Sequence, residues 1–133
     1  SDQHVLSGQT SGRADFEPAK YSGITLKPTL SDWTDYQYLE LNIYNPELQT
    51  LTLTLRIHDK NHALKSQQRY DDRFNRSLTL SPGWNRFDVQ IKEIIEAPEN
   101  RVMDIHNVYA LGIFFSQLEQ QKLLYLDDFR LIN

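Results

Sequence analysis

The sequence predicts an all-β protein, an antiparallel β-sandwich formed by one domain. Apolar and polar residues alternate with a period of two in most segments, and turn signals containing Pro, Gly or Asn separate these segments. Only one short stretch has helical character. With 133 residues, 39% of them hydrophobic, the chain is long enough for one substantial core and too short for two comfortable domains.

The boundaries of the elements follow from these patterns in chain order. Residues 1–11 carry no period, so we expect a flexible lead-in or a partial first strand there, and the sandwich domain at residues 12–133. Strands are predicted at residues 13–17, 23–27, 38–44, 50–58, 69–80, 84–91, 108–115 and 123–131. The one helix-like segment, residues 92–97, ends before Pro98 because proline cannot continue a helix.

Each predicted strand buries one face and leaves the other free. In the strand 38–44, Leu39, Leu41 and Ile43 point inward. If this strand, the next one and the strand 69–80 are neighbours in one sheet, their outward residues form a polar surface. Its members are Glu40, Asn42, Tyr44, Thr52, Thr54, Arg56, His58, Arg73, Asn75 and Ser77.

Composition excludes several classes of function. The net charge of −4 argues against a nucleic-acid partner, which requires a concentrated basic face. The absence of cysteine excludes disulfides and thiolate metal sites. No apolar run approaches the length of a membrane span and the start lacks a signal-peptide pattern, so we expect a soluble unit without direct membrane insertion.

Residues 56–75 concentrate more polar chemistry than a sandwich hairpin needs. The strongest candidates for ligand contacts are Asp59, Tyr70, Asp72, Arg73 and Asn75. Sugars present hydroxyls that donate and accept, so recognition uses a carboxylate, a guanidinium and an amide beside an aromatic ring. The alternative is an Asp–Arg ion pair that pins the hairpin and needs no ligand. Arg56 and His58 would flank the cluster together with Glu40 and Tyr44, or belong to a solvated sheet face.

Other side chains offer weaker candidates. Trp33, Tyr36 and Trp84 lie beside turns, where they would stack on a ligand at the sandwich rim or cap the edge of the core. The spacing of His58, Asp59 and His62 gives a weak zinc signal. Asp127 and Asp128 are candidate ligands of a structural calcium, completed by Asp15 or Glu17; alternatively one Asp bonds backbone in a bulge.

Several motifs from about residue 12 onward resemble those of a known protein family. They are Tyr21-Ser-Gly-Ile-Thr-Leu, Asp32-Trp-Thr-Asp-Tyr, Leu39-Glu-Leu-Asn-Ile-Tyr-Asn-Pro, Leu55-Arg-Ile-His-Asp, Tyr70-Asp-Asp-Arg-Phe-Asn, Pro82-Gly-Trp-Asn and Leu124-Tyr-Leu-Asp-Asp-Phe-Arg-Leu. Together they resemble bacterial jelly-roll domains of the carbohydrate-binding-module, or galactose-binding-like, type. In particular, they are similar to the soluble domain attached to some VanZ-like membrane proteins.

The resemblance implies glycan binding, with the Tyr70–Asn75 motif and Asp59 as the distinctive polar cluster. It also implies an extracytoplasmic location (periplasmic, secreted or cell-surface) and a neighbouring domain in a larger polypeptide. Sugar modules of this class often hold a structural calcium with an acid near the first strand and another on the last one.

Three functions are compatible with these observations. A non-catalytic carbohydrate-binding module that recognises a poly- or oligosaccharide is the favoured prediction. An extracytoplasmic protein-interaction or accessory domain without a sugar ligand is the alternative. A small hydrolase fits poorly, because Asp71 and Asp72 are sequence neighbours that a strand would point to opposite faces, whereas a glycosidase needs two carboxyls facing each other. We therefore expect no enzymatic activity.

Overall fold

The computed structural model describes residues 3–6, 12–65 and 67–133. The described strands are β1 (Gln3–Val5), β2 (Gly12–Phe16), β3 (Ala19–Leu26), β4 (Tyr38–Asn45), β5 (Leu51–Asp59), β6 (Phe74–Leu80), β7 (Gly83–Gln90), β8 (Val108–Leu118), β9 (Lys122–Leu126) and β10 (Arg130–Ile132). The helices are α1 (Lys60–Ala63) and α2 (Ile91–Glu96), and 3-10 turns lie at Tyr70–Asp72 and Ile105–Asn107. In these described segments, no helix has the length and apolar character needed to cross a membrane.

The strands form two antiparallel sheets. One has four strands in the order β3-β8-β5-β6. The other has six strands, with the order β1-β10-β4-β9-β2 and with β7 paired to β4. The predicted all-β antiparallel sandwich is therefore confirmed. β1 pairs with β10, so residues Gln3–Val5 are a short edge strand of the larger sheet.

The core lies between the two sheets and is formed by the inward residues of each strand. Leu39, Leu41 and Ile43 on β4 are fully buried, as the alternation predicted. Burial of such side chains contributes about 1.5–3 kcal/mol each. Trp33 also belongs to this core: it is 0% exposed, and its indole Nε1 donates to the Leu30 carbonyl at 2.7 Å. This corrects the prediction of Trp33 as a rim platform, because a ligand cannot stack on a ring without exposed surface.

Four predicted strands differ from the structure by three residues or more. β3 begins at Ala19 instead of residue 23, and β8 ends at Leu118 instead of residue 115. The strand predicted at residues 69–80 begins only at Phe74, because Tyr70–Asp72 form a 3-10 turn. The strand predicted at residues 123–131 is divided into β9 and β10, which pair with successive parts of β4. Between them, the Asp127 amide donates to the Asn42 carbonyl, and the Asp127 carboxylate accepts from the Asp128 amide. The first bond holds the chain against β4, and the second is a local bond at the point where the ladder is interrupted.

The predicted polar surface is also divided. β5 and β6 are neighbours in the four-stranded sheet, with Arg56 opposite Asn75 and Thr54 opposite Ser77. β4 lies in the six-stranded sheet, so Glu40 and Tyr44 are on the other side of the sandwich. They do not flank Arg56, which corrects that part of the prediction.

Candidate functional site

The outer face of the four-stranded sheet carries an open groove of about 710 Å³. Its floor comes from β3, β5 and β8, and one wall comes from the segment that precedes β6. The lining residues are Tyr21, Gly23, Ile24, Thr25, Thr54, Arg56, Gln68, Tyr70, Arg73, Ile113, Phe114 and Ser116. Aromatic rings and hydrogen-bonding side chains therefore share one concave surface.

Strand register explains the shape of the groove floor. Gly112 on β8 lies between Thr25 on β3 and Arg56 on β5. The Arg56 side chain crosses over this glycine, and its Nη2 donates to Thr25 Oγ1 at 2.7 Å. A Cβ at Gly112 would lie 3.4 Å from the guanidinium nitrogens and 2.8 Å from the Ile24 carbonyl oxygen. The glycine thus provides the space in which the guanidinium lies across the sheet.

Two tyrosines give the groove exposed aromatic surface. Tyr21 and Tyr70 are 65% and 66% exposed, so both rings offer open surface on which a ligand could stack. Phe114 packs edge-on against Tyr21 with the ring centroids 6.0 Å apart. The Arg73 guanidinium lies 5.3 Å from the centroid of the Tyr70 ring, within the range of a cation–π contact.

Asn75 positions the groove wall without lining it. Its side-chain oxygen accepts from Arg73 Nε at 2.8 Å, and its side-chain nitrogen donates to the Tyr70 carbonyl at 2.8 Å. One amide therefore fixes both the guanidinium and the turn that presents the tyrosine. Tyr70, Arg73 and Asn75, predicted as one cluster, do lie together.

The groove holds positive charge without acidic partners. Arg56 and Arg73 are half-buried, and neither makes a salt bridge with any acid in the part of the chain that the structure describes. Burial lowers the pKa of both guanidinium groups, and the charge of Arg73 lowers the pKa of Arg56 further. Both nevertheless remain charged at neutral pH, because an arginine pKa lies so far above 7.

His58 adjoins Arg56 and is neutral at neutral pH. Burial lowers the pKa of His58 to about 4, assisted by the nearby His62, Arg56 and Arg73. Its Nδ1 lies 3.2 Å from Arg56 Nη1. Because arginine has only donors, this nitrogen accepts the hydrogen bond and carries no proton. His58 thus supports Arg56 from the neighbouring position on the same face of β5.

The predicted carboxylates Asp59 and Asp72 lie in a separate ion network centred on Arg101. Arg101 donates to both Asp59 oxygens at 2.7 and 2.8 Å and to Asp72 Oδ1 at 2.8 Å. Asp59 also accepts from the backbone amides of His62 and Asp104. Since each carboxylate oxygen takes about two hydrogen bonds, Asp59 has no remaining capacity for a sugar hydroxyl.

Asp72 is similarly occupied. Besides Arg101, it contacts Lys65 Nζ at 3.0 Å and His62 Nδ1 at 3.0 Å. Hydrogen bonds from Arg101, then Lys65 and His62, hold its pKa well below the usual range. Asp59 and Asp72 are therefore corrected from ligand contacts to structural ions. The alternative ion pair considered for this segment exists, but with Arg101 rather than Arg73.

The network determines how the groove wall is held. Asp59 ends β5 and caps α1, while Asp72 ends the 3-10 turn that begins with Tyr70. Arg101 forms salt bridges with both carboxylates and so connects the end of β5 to the 3-10 turn. The segment carrying Tyr70 and Arg73 is thus attached to the rigid sheet, although none of the network carboxylates faces the groove.

Trp84 lies on the opposite side of the sandwich. It is 61% exposed on β7, with its ring centroid 5.4 Å from that of Tyr44. Tyr125 contacts Tyr44 from β9, so three aromatics form a row across the six-stranded sheet. Trp84 therefore cannot contact the same ligand molecule as Tyr70 and Arg73 within the groove.

The metal predictions gain no support from the geometry. Across the described ranges, no group of three or more His, Cys, Asp or Glu side chains could hold a metal ion. Asp128 lies 3.8 Å from Arg130, and Asp15 pairs with Arg13 at 3.0 Å. A calcium shell needs several converging oxygens, of which these two acids would supply only part. Calcium ligation by Asp127 and Asp128 stays a prediction.

Sequence reasoning missed most of the groove lining. Tyr21, Thr25, Gln68, Phe114 and Ser116 line it, and Arg101 supports it. The alternation in β3 and β8 contained a signal, since Tyr21, Gly23 and Thr25 are one face of β3 and Gly112, Phe114 and Ser116 are one face of β8. Arg101 gave no signal, because it lies in a loop far from both carboxylates in sequence.

Comparison with known proteins gives structural neighbours only. The sequence matches no protein-family model, and no curated protein matches it. Among solved structures, the chain is similar to a family 11 carbohydrate-binding module from Clostridium thermocellum in complex with a β-1,3-1,4-mixed-linked tetrasaccharide. The TM-score is 0.70 at 14% identity, and the match covers 98% of this chain and 81% of that one.

Other neighbours share the same sandwich. A family 30 carbohydrate-binding module of a Clostridium thermocellum cellulosomal cellulase matches with a TM-score of 0.58 and 12% identity, over 91% of this chain and 73% of that one. An agarase matches with a TM-score of 0.67 and 15% identity, over 100% of this chain but only 23% of the agarase. At these identities the comparisons establish the fold alone, a jelly-roll β-sandwich shared with these modules.

Proposed function

We propose that this protein is a non-catalytic carbohydrate-binding module whose ligand lies in the groove of the four-stranded sheet. The observation that carries the proposal is the groove itself, in which exposed aromatic rings alternate with hydroxyl, amide and guanidinium groups. Aromatic rings cover the apolar faces of sugar rings, and the polar groups bind the hydroxyls. A neighbour with the same fold was solved with a tetrasaccharide, which supports this assignment.

The groove favours binding over hydrolysis. No Asp or Glu is among its lining residues, whereas glycoside hydrolysis uses two carboxyl groups on either side of the scissile bond. The groove is also open to solvent, so we expect affinities of roughly micromolar to millimolar. Tyr21, Tyr70, Phe114, Arg56 and Arg73 are the proposed contacts, and Asn75 and His58 position them.

The biological setting belongs to the proposal as well. We place the module outside the cytoplasm, in a larger polypeptide with a neighbouring domain, on the basis of the motifs that resemble carbohydrate-binding modules. Attachment to a VanZ-like membrane protein is the more specific version of this prediction. The structural neighbours do not bear on it.

A glycan array followed by calorimetric titration tests the proposal. The wild type is compared with Tyr70→Ala and with Tyr125→Ala, the matched control on the opposite sheet, where Tyr125 is 39% exposed. We expect Tyr70→Ala to weaken binding by about five- to a hundredfold, by analogy with the ~1–3 kcal/mol that one base–aromatic stack contributes. Tyr125→Ala should bind like the wild type.

The opposite results would overturn the proposal. If the wild type binds no glycan on the array, and light scattering shows a stable oligomer or a co-purifying partner, the protein is an interaction domain. If Tyr125→Ala loses binding while Tyr70→Ala retains it, the ligand lies on the six-stranded sheet.

A further inference from the structure

The charge of the groove indicates which class of saccharide it takes. The strands β3, β5, β6 and β8 contain a single acidic residue, Asp59, which is 0% exposed and saturated by Arg101 and by two backbone amides. The chain as a whole carries a net charge of −4. The sheet that bears the groove is therefore depleted of negative charge in an acidic protein.

Arginines on the other sheet provide an internal comparison. Arg13 pairs with Asp15 at 3.0 Å, and Arg86 lies 3.3 Å from Asp88 and 3.9 Å from Glu40. Both are 60% exposed, where water already solvates a guanidinium. Arg56 and Arg73 show the reverse arrangement, because they are half-buried and have no acidic partner among the residues that the structure describes.

Such an arrangement costs stability unless something compensates it. Burying a guanidinium without a counter-charge is unfavourable, and two like charges beside each other add repulsion. The hydrogen bonds to Thr25, His58 and Asn75 use neutral acceptors, so they satisfy donors without neutralising the charge. A ligand that carries an anion would supply what the protein lacks.

We infer that the groove takes an acidic saccharide, one bearing carboxylate or sulfate groups, which Arg56 and Arg73 contact while Tyr21 and Tyr70 cover the sugar rings. This inference rests on the proposed function and specifies its ligand. Arginine suits the role because its planar fork donates two parallel hydrogen bonds to a carboxylate or sulfate. Lys20, with its Nζ 5.6 Å from the Tyr21 ring centroid, adds positive charge at the rim.

Calorimetric titration with charge-matched pairs tests the inference. One pair is an oligogalacturonate and its carboxyl-reduced counterpart, and the other is a sulfated galactan oligosaccharide and its desulfated form. We expect at least one acidic probe to bind tenfold or more tightly than its neutral counterpart in ~50 mM salt. Affinity should fall about tenfold in ~500 mM salt, because ions screen the contact.

Variants assign the effect to the two arginines. Arg56→Gln and Arg73→Gln should each reduce the preference for the acidic probe at least tenfold, and Arg86→Gln, the control on the other sheet, should not. Retention of the wild-type preference for the acidic probe in both Arg56→Gln and Arg73→Gln would overturn the inference.

The remaining outcomes separate the inference from the proposed function. Binding of neutral and acidic members with equal affinity overturns the inference and leaves the carbohydrate-binding function intact. Binding of polyphosphate as tightly as the acidic saccharide overturns it too, because polyphosphate has no sugar ring for the tyrosines. If neither these probes nor any arrayed glycan binds, both the inference and the proposed function are wrong.

Discussion

Arg101 shows how a single side chain can determine the conformation of a groove that it does not line. It is 22% exposed and joins Asp59, at the end of β5, to Asp72, before β6. The guanidinium and the two carboxylates form a partly buried network in which each group depends on the others. Removing one partner of such a network leaves a buried charge without compensation. The stability lost on removing that partner is therefore larger than the stability that the intact network contributes.

We therefore predict that Arg101→Ala lowers the free energy of unfolding by about 3 kcal/mol. Arg69→Ala is the matched control, because Arg69 is 65% exposed and its pair with Asp71 lies at the surface. That variant should lose less than about 0.5 kcal/mol. Urea denaturation of both variants at pH 7 measures the difference, and equal losses would contradict a structural role for the network.

His58 gives the fold a pH dependence whose sign can be worked out. Its pKa is about 4 in the folded protein because of burial and then the neighbouring His62, Arg56 and Arg73, with Asp59 acting in the opposite direction. In the unfolded chain the pKa is about 6.5. Between these values the unfolded chain binds more protons, so stability is complete above the upper value and is lost as pH falls toward the lower one.

We predict that the free energy of unfolding decreases by roughly 2–3 kcal/mol between pH 6.5 and pH 4 because of this residue. His58→Gln should flatten the profile in that window. His106→Gln, which alters a 67% exposed histidine, should leave it unchanged. Denaturation curves at several pH values measure both, and a wild-type slope retained in His58→Gln would refute the assignment. The low pKa of Asp72 acts separately, since its contribution is lost only below its unfolded value near 4.

At the scale of the strands, the groove depends on one glycine in β3 and one in β8, where no side chain covers the sheet. Gly112 stands between Thr25 and Arg56 and leaves room for the guanidinium. Gly23 on β3 has the same role opposite Phe114 on β8, where an added Cβ would lie 2.5 Å from the Cβ of Phe114. Two glycines thus allow one arginine and one phenylalanine to lie across neighbouring strands.

Gly112→Ala should therefore damage both stability and binding. The new Cβ would lie 2.8 Å from the Ile24 carbonyl oxygen, so the backbone must shift, at a cost of about 1–3 kcal/mol. Arg56 should lose its hydrogen bond to Thr25, and with it the affinity for any groove ligand. Ser116→Ala, on the same face of β8, is the control and should change stability by less than about 0.5 kcal/mol. Thermal melting and calorimetry test both statements; a variant with wild-type stability and affinity would contradict them.

Period-two patterns predicted most strands because each strand buries only one face. The alternation of Leu39, Leu41 and Ile43 placed β4 correctly, and the motif Tyr70–Asn75 identified part of the groove wall. Sheet membership could not be read in the same way, because the pattern within β4 does not say which strand lies beside it. For that reason Glu40 and Tyr44 were expected next to Arg56 but lie on the other sheet. Long-range partners such as Arg101 depend on the complete fold.

The whole molecule presents two different faces. The four-stranded sheet bears the groove with unpaired positive charge, and the six-stranded sheet bears the row of Trp84, Tyr44 and Tyr125 beside arginines that are paired with acids. Since the core separates the two faces, a ligand on one leaves the other in solvent. The two tryptophans of the chain report on this separation, because Trp33 is 0% exposed and Trp84 is 61% exposed.

Acrylamide quenching of tryptophan fluorescence should therefore distinguish the faces. We predict that Trp84 is quenched readily and Trp33 hardly at all, because a quencher must reach the ring by collision, and that Trp84→Phe leaves only the protected emission. Saturation with a glycan identified by calorimetry should leave the quenching of Trp84 unchanged, and Trp84→Phe should bind that glycan with wild-type affinity. If the glycan instead shields Trp84, the ligand lies on the aromatic row of the six-stranded sheet. The proposed preference for acidic saccharides would then have no structural basis, because the arginines on that sheet already have acidic partners.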